Sequence, residues 1–233
     1  MTPARSRAHA PKRAARERPG EPGGRRDTNR REKIAALQDA ALALFLRRSI
    51  DGVTIDDITS RAGVAKGSFY RYFADKTALV GALVAPLDEA VAEMFEASLA
   101  RLGASRDPDD VFACYEVIAA RLLLLLRDHP RVLRLYLQEA RIPAPGARGP
   151  VARVSDRLAT TAIAHATAVR ARGFGEAYPP AVSALAVIGA GERLIHALLT
   201  GEHIEEIGDP LRAAHDVISL ALRGIRAGPE NQG

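Results

Sequence analysis

Residues Thr54–Lys76 read TIDDITSRAGVAKGSFYRYFADK, and this stretch decides the fold prediction for the whole chain. Thr54 precedes an apolar run, and its hydroxyl can cap the first turn of a helix. Three apolar residues of the run share one helical face, which a helix would bury: Ile55, Ile58 and Ala62. Gly63 follows where a turn needs a positive φ, which glycine adopts at little steric cost. The pattern predicts two short helices joined by a tight turn.

The second of these helices has an unusual polar face. Phe69 and Phe73, four residues apart, can anchor it to a small core. The residues left exposed are Lys66, Gly67, Ser68, Tyr70, Arg71 and Tyr72. In a helix-turn-helix the second helix enters the major groove, where such donors meet phosphates and base edges. An ordinary solvated face is the alternative, but it favours Glu and Lys over two tyrosines. The face therefore indicates DNA binding.

The segment resembles the DNA-binding domain of the TetR/AcrR family of bacterial transcriptional regulators, over residues 28–82. The residues that match are Thr54, Ile58, Ala62, Gly63, Val64, Lys66 to Tyr70, Tyr72, Phe73, Lys76 and Leu79. The resemblance implies phosphate contacts by Thr54, Lys66, Ser68, Tyr72 and Lys76, and places Tyr70 and Arg71 nearest the bases. Ala65 stands where the family often has a capping serine, a difference of about 1 kcal/mol.

Composition agrees with an all-α protein. Of the 233 residues, 47% are hydrophobic but only 5% are aromatic, and the abundance of alanine and leucine favours helices. A single cysteine, Cys114, suits a reducing compartment. No signal-like segment is visible, and the leucine run 122–126 is too short to cross a bilayer. We expect a soluble cytoplasmic protein, nucleoid-associated through DNA, with no membrane partner.

The predicted organisation is a basic, disordered tail (1–27), a helix-turn-helix DNA-binding domain (28–76), an effector-binding and dimerisation domain (77–227) and a disordered C-terminus (228–233). The tail carries a net charge of +5, which equals that of the whole chain. It is either a solubilising leader or an arm that adds phosphate contacts. About nine helices are expected, the others being 28–48, 77–102 with Pro86 inside, 107–128, 130–140, 151–172, 181–201 and 210–226.

Small residues in the middle of the penultimate helix would allow another helix to approach closely. Tight packing within the monomer is one explanation. The resemblance instead implies a homodimer interface formed by this helix and the last one, and a palindromic site read by a two-fold dimer requires such a partner. The predicted interface residues are Ala186, Gly189, Ala190, Arg193, Leu194 and Ala197.

The resemblance also implies an effector pocket enclosed by the later helices. The candidate lining residues are Met94, Phe95, Phe112, Tyr115, Tyr136 and His165, although such residues at helical spacing also form plain cores. The aliphatic body favours a hydrophobic effector. Glu192, His196 and His203 could share a face, but an ion pair or an interface histidine is favoured over a metal site.

Nothing in the sequence matches an enzyme motif, so we expect no catalysis, no cofactor and no metal. The prediction is a repressor that binds a palindromic operator as a dimer and is released by a small hydrophobic effector. One alternative is a helix-turn-helix regulator without a small-molecule inducer, controlled by a partner protein or acting as an activator. Another is a helical scaffold that does not bind DNA.

Overall fold

The structure, a computed structural model, describes residues 25–103, 108–143, 146–173 and 178–210, together with 212–213 and 216–217. Within these residues the fold is all-α and contains no strand, as predicted. The helices are α1 (Arg25–Arg48), α2 (Ile55–Ala62), α3 (Lys66–Tyr72), α4 (Lys76–Gly103), α5 (Pro108–Asp128), α6 (Pro130–Glu139), α7 (Gly149–Arg170), α8 (Pro180–Thr200) and α9 (Ile204–Ile207), with a 3-10 turn at Gly146–Arg148.

The helix boundaries differ from the predicted ones by at most three residues. α1 begins at Arg25, three residues before the expected start, and α7 begins at Gly149, two residues early. Pro150 lies in the first turn of α7, where a missing N–H costs nothing. α4 runs through Pro86 without interruption, and the short helix α9 was not predicted.

The predictions for residues 1–24 of the tail and for 228–233 lie outside the described residues. Of the predicted last helix, only five residues are described, and all of them are helical.

The N-terminal helices enclose a small core that positions α3. Its centre consists of side chains from α1 to α4 that are completely buried: Leu37, Phe45, Ile58, Phe69 and Leu79. Phe69 also contacts Phe73, with ring centroids 5.7 Å apart. Since the first turns of α4 complete this core, the long helix α4 belongs to both halves of the molecule.

The remaining helices pack around the second half of α4. α5 and α7 lie against α4, and α8 lies against α7. Apolar residues from three of these helices meet in one buried cluster: Val91, Met94, Phe95, Ala162 and Ala184. The cluster forms one wall of a cavity.

α8 is the most apolar of the long helices, and little of it is buried by the rest of the chain. By length and composition alone it could cross a membrane, with a mean hydropathy of 1.5, yet only 11% of that stretch is buried in the chain. Val182 and Leu185 are each more than half exposed. Exposed apolar surface of this kind is typical of interaction sites.

Candidate DNA-binding surface and ligand cavity

α2 begins with a complete capping box. The backbone N–H of Asp57 donates to Thr54 Oγ1 (3.1 Å), and the backbone N–H of Thr54 donates to Asp57 Oδ2 (2.9 Å). The Asp57 carboxylate also accepts from the Thr54 hydroxyl, and the two hydrogen bonds that it accepts from Thr54, together with the nearby Arg48, lower its pKa. Thr54 therefore caps α2 as predicted, and its partner Asp57 was not foreseen, although Thr-x-x-Asp is a capping-box variant that the sequence displays.

The turn after α2 has the conformation that the glycine predicted. Gly63 adopts φ 64°, in the left-handed region. The N–H of Val64 donates to the carbonyl of Thr59 at 3.0 Å, which closes the turn. At the start of α3, Ala65 makes no side-chain cap. The second helix is thus fixed in direction by the turn and by Phe69, without a capping hydroxyl.

The predicted DNA-contacting residues lie together on the outer face of this motif. Lys66, Gly67 and Arg71 are exposed, and Tyr70 is 52% exposed. Thr54 is also exposed, whereas Ser68, Tyr72 and Lys76 are half-buried. These residues carry the hydroxyl and cationic donors that bind phosphates and base edges.

Two lysines of the predicted set already have partners. Lys66 Nζ lies 2.7 Å from the carboxylate of Asp56 on α2, and this hydrogen bond raises the pKa of Lys66. Lys76 Nζ donates to the carbonyl oxygens of Ile50 and Val53, at 2.9 Å each. No local pattern indicated that Lys76 holds the loop between α1 and α2, because the contact joins residues more than 20 positions apart.

Comparison with known proteins bears on this domain first. Residues 37–83 match the family of bacterial regulatory proteins called the tetR family. An uncharacterised HTH-type transcriptional regulator of Bacillus subtilis, YvdT, is 37% identical over 51 residues, which is 22% of this chain and 26% of that protein. The N-terminal domain is therefore similar to the DNA-binding domain of tetR-family regulators.

Solved structures show the same fold over most of the chain. FadR of Bacillus subtilis, in complex with stearoyl-CoA, is 15% identical, with 82% of this chain and 98% of FadR covered and a TM-score of 0.58. NalD, the secondary repressor of the MexAB-OprM multidrug efflux pump in Pseudomonas aeruginosa, is 19% identical, with 86% of this chain and all of NalD covered and a TM-score of 0.60. At these identities the likeness establishes the fold alone.

In the rest of the chain, α4 to α8 line a cavity of about 170 Å³, together with Pro210 and Val217. Five of the six predicted pocket residues line it: Met94, Phe95, Tyr115, Tyr136 and His165. Phe112 lies in α5, and its side chain is outside what the structure describes. Most of the other lining side chains are leucine, isoleucine, valine and alanine, so the wall is apolar.

One polar group of the cavity is a buried histidine. Ser98 Oγ donates to the carbonyl of Cys114 (2.9 Å), so its contact with His165 Nε2 (2.8 Å) has the histidine as donor. Burial lowers the pKa of His165 to about 4, so the ring is neutral. The rings of Phe95 and Tyr115 pack edge-on against it. Ser98 was missed in the sequence because nothing marks its partner 67 positions away.

A second set of polar side chains at the cavity joins α6 to α8 through Tyr136 and Glu192. Tyr136 Oη donates to Glu192 Oε1 (3.1 Å), and Arg141 lies 2.6 Å from Glu192 Oε2. Burial raises the pKa of Tyr136 to about 12, so the phenol keeps its proton. The Glu192 carboxylate is therefore neutralised by an arginine at the rim of the cavity. Glu192 thus pairs with Arg141, whereas His196 lies 3.9 Å from Glu202 and His203 lies 4.0 Å from Glu206. Among the described residues no group of three or more His, Cys, Asp or Glu side chains is placed to hold a metal ion.

The predicted interface residues of α8 divide between two faces. Ala186, Ala190 and Arg193 are exposed and Gly189 is half-buried, next to the exposed Leu185. Leu194 instead lines the cavity, and Ala197 is only 5% exposed. Leu194 and Ala197 therefore lie toward the chain's own core, which the sequence pattern of small residues does not reveal, and the interface itself stays a prediction.

Proposed function

We propose that the chain is a transcriptional repressor that binds a palindromic operator as a dimer and leaves it when a small hydrophobic molecule binds. The observation that carries this proposal is the polar outer face of α3 on a TetR-family domain. Arg71 and Tyr70 would read bases, because both are exposed on that helix and the family resemblance places them nearest the bases. Lys66, Ser68, Tyr72 and Thr54 would contact phosphates, with the close backbone approach made possible by Gly67.

The uncovered apolar face of α8 supports a dimer. Val182, Leu185 and Ala186 form an exposed stripe that ends at Gly189 and Ala190, where the small side chains let a second helix approach closely. A homodimer would bury this face without requiring another protein. It would also hold the two copies of α3 about 34–36 Å apart, so that they could enter successive major grooves.

The cavity supports a small hydrophobic effector. Its wall is almost entirely apolar, and the two charges at its rim, Glu192 and Arg141, neutralise each other. FadR, with stearoyl-CoA, and NalD, a repressor of an efflux pump, share the fold. An apolar body with one hydrogen-bonding group would suit the polar atoms of His165 and Tyr136.

α4 would couple the two activities. Leu79 and Val80 lie in the core under α3, while Leu87, Val91 and Met94 line the cavity further along the same helix. An effector that fits the cavity better after a shift of α4 would move the DNA-binding domains apart. We place the two domains at 28–76 and 77–227, in a protein that acts on the nucleoid in the cytoplasm.

Selection of duplexes from a random library, followed by fluorescence anisotropy on the enriched sequence, tests DNA recognition. We expect a palindrome to be enriched and to compete better than a single half-site. The matched control is Arg101→Ala, an exposed arginine at the end of α4 far from α3. No enrichment of any sequence would refute a DNA-reading function and favour the helical scaffold.

Thermal-shift screening with and without the selected duplex tests the effector. A ligand that stabilises the free protein and lowers its DNA affinity supports the proposal. A duplex-binding protein that no hydrophobic ligand stabilises, or that ligands bind without releasing DNA, would indicate control by a partner protein or activation instead.

A further inference from the structure

The loop between α1 and α2, residues 49–53, is held by charged side chains from outside the helix-turn-helix. Ile50 and Val53 are completely buried, and Ser49 adopts a positive φ of 63°. A Cβ on Gly52 would collide with the carbonyl of Arg48. The loop therefore has one tightly defined conformation, and its buried backbone groups need hydrogen-bond partners.

Glu139, at the end of α6, supplies one of these partners. Its side chain is completely buried, and Oε1 accepts from the backbone N–H of Ile50 at 3.3 Å. Gln138 Nε2 donates to the same oxygen (2.9 Å) and to the carbonyl of Phe45 in α1 (3.0 Å). The end of α6 is thus bonded both to α1 and to the loop that follows it.

Arg148, in the 3-10 turn before α7, completes the cluster. Its Nε donates to Glu139 Oε2 at 2.7 Å, and its Nη1 donates to the Asp51 carboxylate of the loop. Lys76 donates to the carbonyl of Ile50 from the other side. Both backbone polar groups of Ile50 are therefore bound by charged side chains, from α6 and from α4. The cluster contains two acidic side chains, Asp51 and Glu139, and two basic ones, Lys76 and Arg148, so its charges balance.

Such a cluster is a poor source of stability, because desolvation of the charges offsets their attraction. Its effect is instead to fix the relative orientation of the segments that it joins. Apolar packing between α1 and α6 would tolerate small sliding movements, whereas charged hydrogen bonds require one alignment of the arginine fork and the carboxylate.

We propose that Glu139 and Arg148 are positioning residues for DNA binding. They touch no DNA, and they fix the orientation of the helix-turn-helix domain on the body so that two domains of a dimer keep one separation. The predicted effect on operator binding rests on the proposed function. The alignment itself is a property of the single chain.

Two conservative variants test the operator consequence. Glu139→Gln keeps the shape but removes the charge, and Arg148→Lys keeps the charge but loses the fork that reaches two carboxylates. Affinity is measured for the selected palindrome, for versions with one base pair added or removed between half-sites, and for a single half-site. We expect the preference for the correct spacing to fall at least about tenfold, with half-site affinity unchanged.

Two controls separate positioning from stability. Arg131→Lys alters an ion pair that also joins α6 to α1, at 2.5 Å from Asp39, but both side chains are largely exposed, so we expect less than about a twofold change. Leu102→Ala lowers stability from a buried site at the far end of α4, and should leave the spacing preference intact.

Spin labels test the alignment without DNA or a dimer. Cysteines at Ser60 in α2 and Thr160 in α7 are exposed attachment points, whereas the natural Cys114 is buried. In labelled chains diluted with unlabelled chains, we expect one narrow distance distribution for the parent and a broadened one for Glu139→Gln and Arg148→Lys.

The outcomes are distinct. An unbroadened distribution in both variants overturns the positioning role, as does a retained spacing preference or a fall in half-site affinity. A parent protein that accepts every spacing overturns the palindrome in the proposed function. A broadened distribution would still support the alignment in that case, but the claim that it serves operator spacing would fall as well.

Discussion

On the outer face of α2 and α3 the polar side chains face solvent, whereas around the cavity they are buried among apolar residues. Lys66 and Asp56 remain charged at the surface. His165 and Tyr136 are held neutral by burial, one with its pKa lowered and the other with its pKa raised. The difference indicates that one region attracts a charged polymer while the other excludes charge. Substitutions on the exposed face and substitutions of buried residues should therefore affect the protein in different ways.

The largest effect should come from the core beneath the DNA-binding face. Phe69→Ala removes a completely buried ring and should lower the free energy of unfolding by about 3–5 kcal/mol. DNA binding should be lost with it. Urea denaturation measures the change, and Tyr70→Phe, at a 52% exposed site, should stay within about 0.5 kcal/mol of the parent. An equal effect of both changes would mean that Phe69 does not anchor α3.

The cavity histidine should make stability depend on pH. His165 binds a proton near pH 4 in the folded protein, against 6.5 as the reference value. Since the unfolded chain then takes up the proton first, stability falls as pH drops from about 6.5 to about 4, by roughly 3 kcal/mol. Denaturation across this range, compared with His165→Asn, isolates the contribution. Parallel pH profiles for the two proteins would show that burial does not hold the ring neutral.

Arg71 distinguishes base reading from phosphate binding on the exposed face. Arg71→Ala should cost about 1–3 kcal/mol of DNA affinity and relax the preference at one position in each half-site. Competition with single-base variants of the selected duplex measures this. A uniform loss across all sequences would make Arg71 a phosphate contact.

Two capping changes should act in opposite directions within the helix-turn-helix. Thr54→Ala breaks the capping box of α2 and should destabilise by about 1 kcal/mol. Ala65→Ser adds a hydroxyl at the uncapped start of α3, where the extended backbone suits a cap, and should stabilise by up to about 1 kcal/mol. Thermal unfolding of both variants checks the pair. A stabilising Thr54→Ala or a destabilising Ala65→Ser would contradict the assigned caps.

The smallest effect concerns the ion pair on the face itself. Asp56→Asn frees Lys66 and removes a negative charge near the expected phosphates, so affinity for every duplex should rise about two- to fivefold at low salt. Anisotropy titrations measure it, with Glu96→Gln on the exposed side of α4 as control. An affinity gain confined to one sequence would place Asp56 near a base.

The contrast between the exposed helix-turn-helix and the buried cavity also explains what could be predicted from the sequence. Thr54, Gly63 and Phe69 were assigned correctly because caps, turns and aromatic anchors act within a few residues along the chain. The cavity lining was predicted largely from the family resemblance, Ser98 was missed, and Glu192 was noted only beside His196 and His203. Leu194 and Ala197 lie toward the chain's own core, which the sequence pattern did not show because periodicity gives the faces of a helix but not their partners.

The sequence by itself determined the helices, their order and the polar face of α3, since these follow from local propensity, capping and spacing. Only the tertiary structure decided that His165 is neutral, that Lys76 holds a loop and that Glu139 and Arg148 meet residues 89 and 97 positions away. The physical reason is that burial and charge pairing depend on which distant segments become neighbours, and no local pattern specifies that.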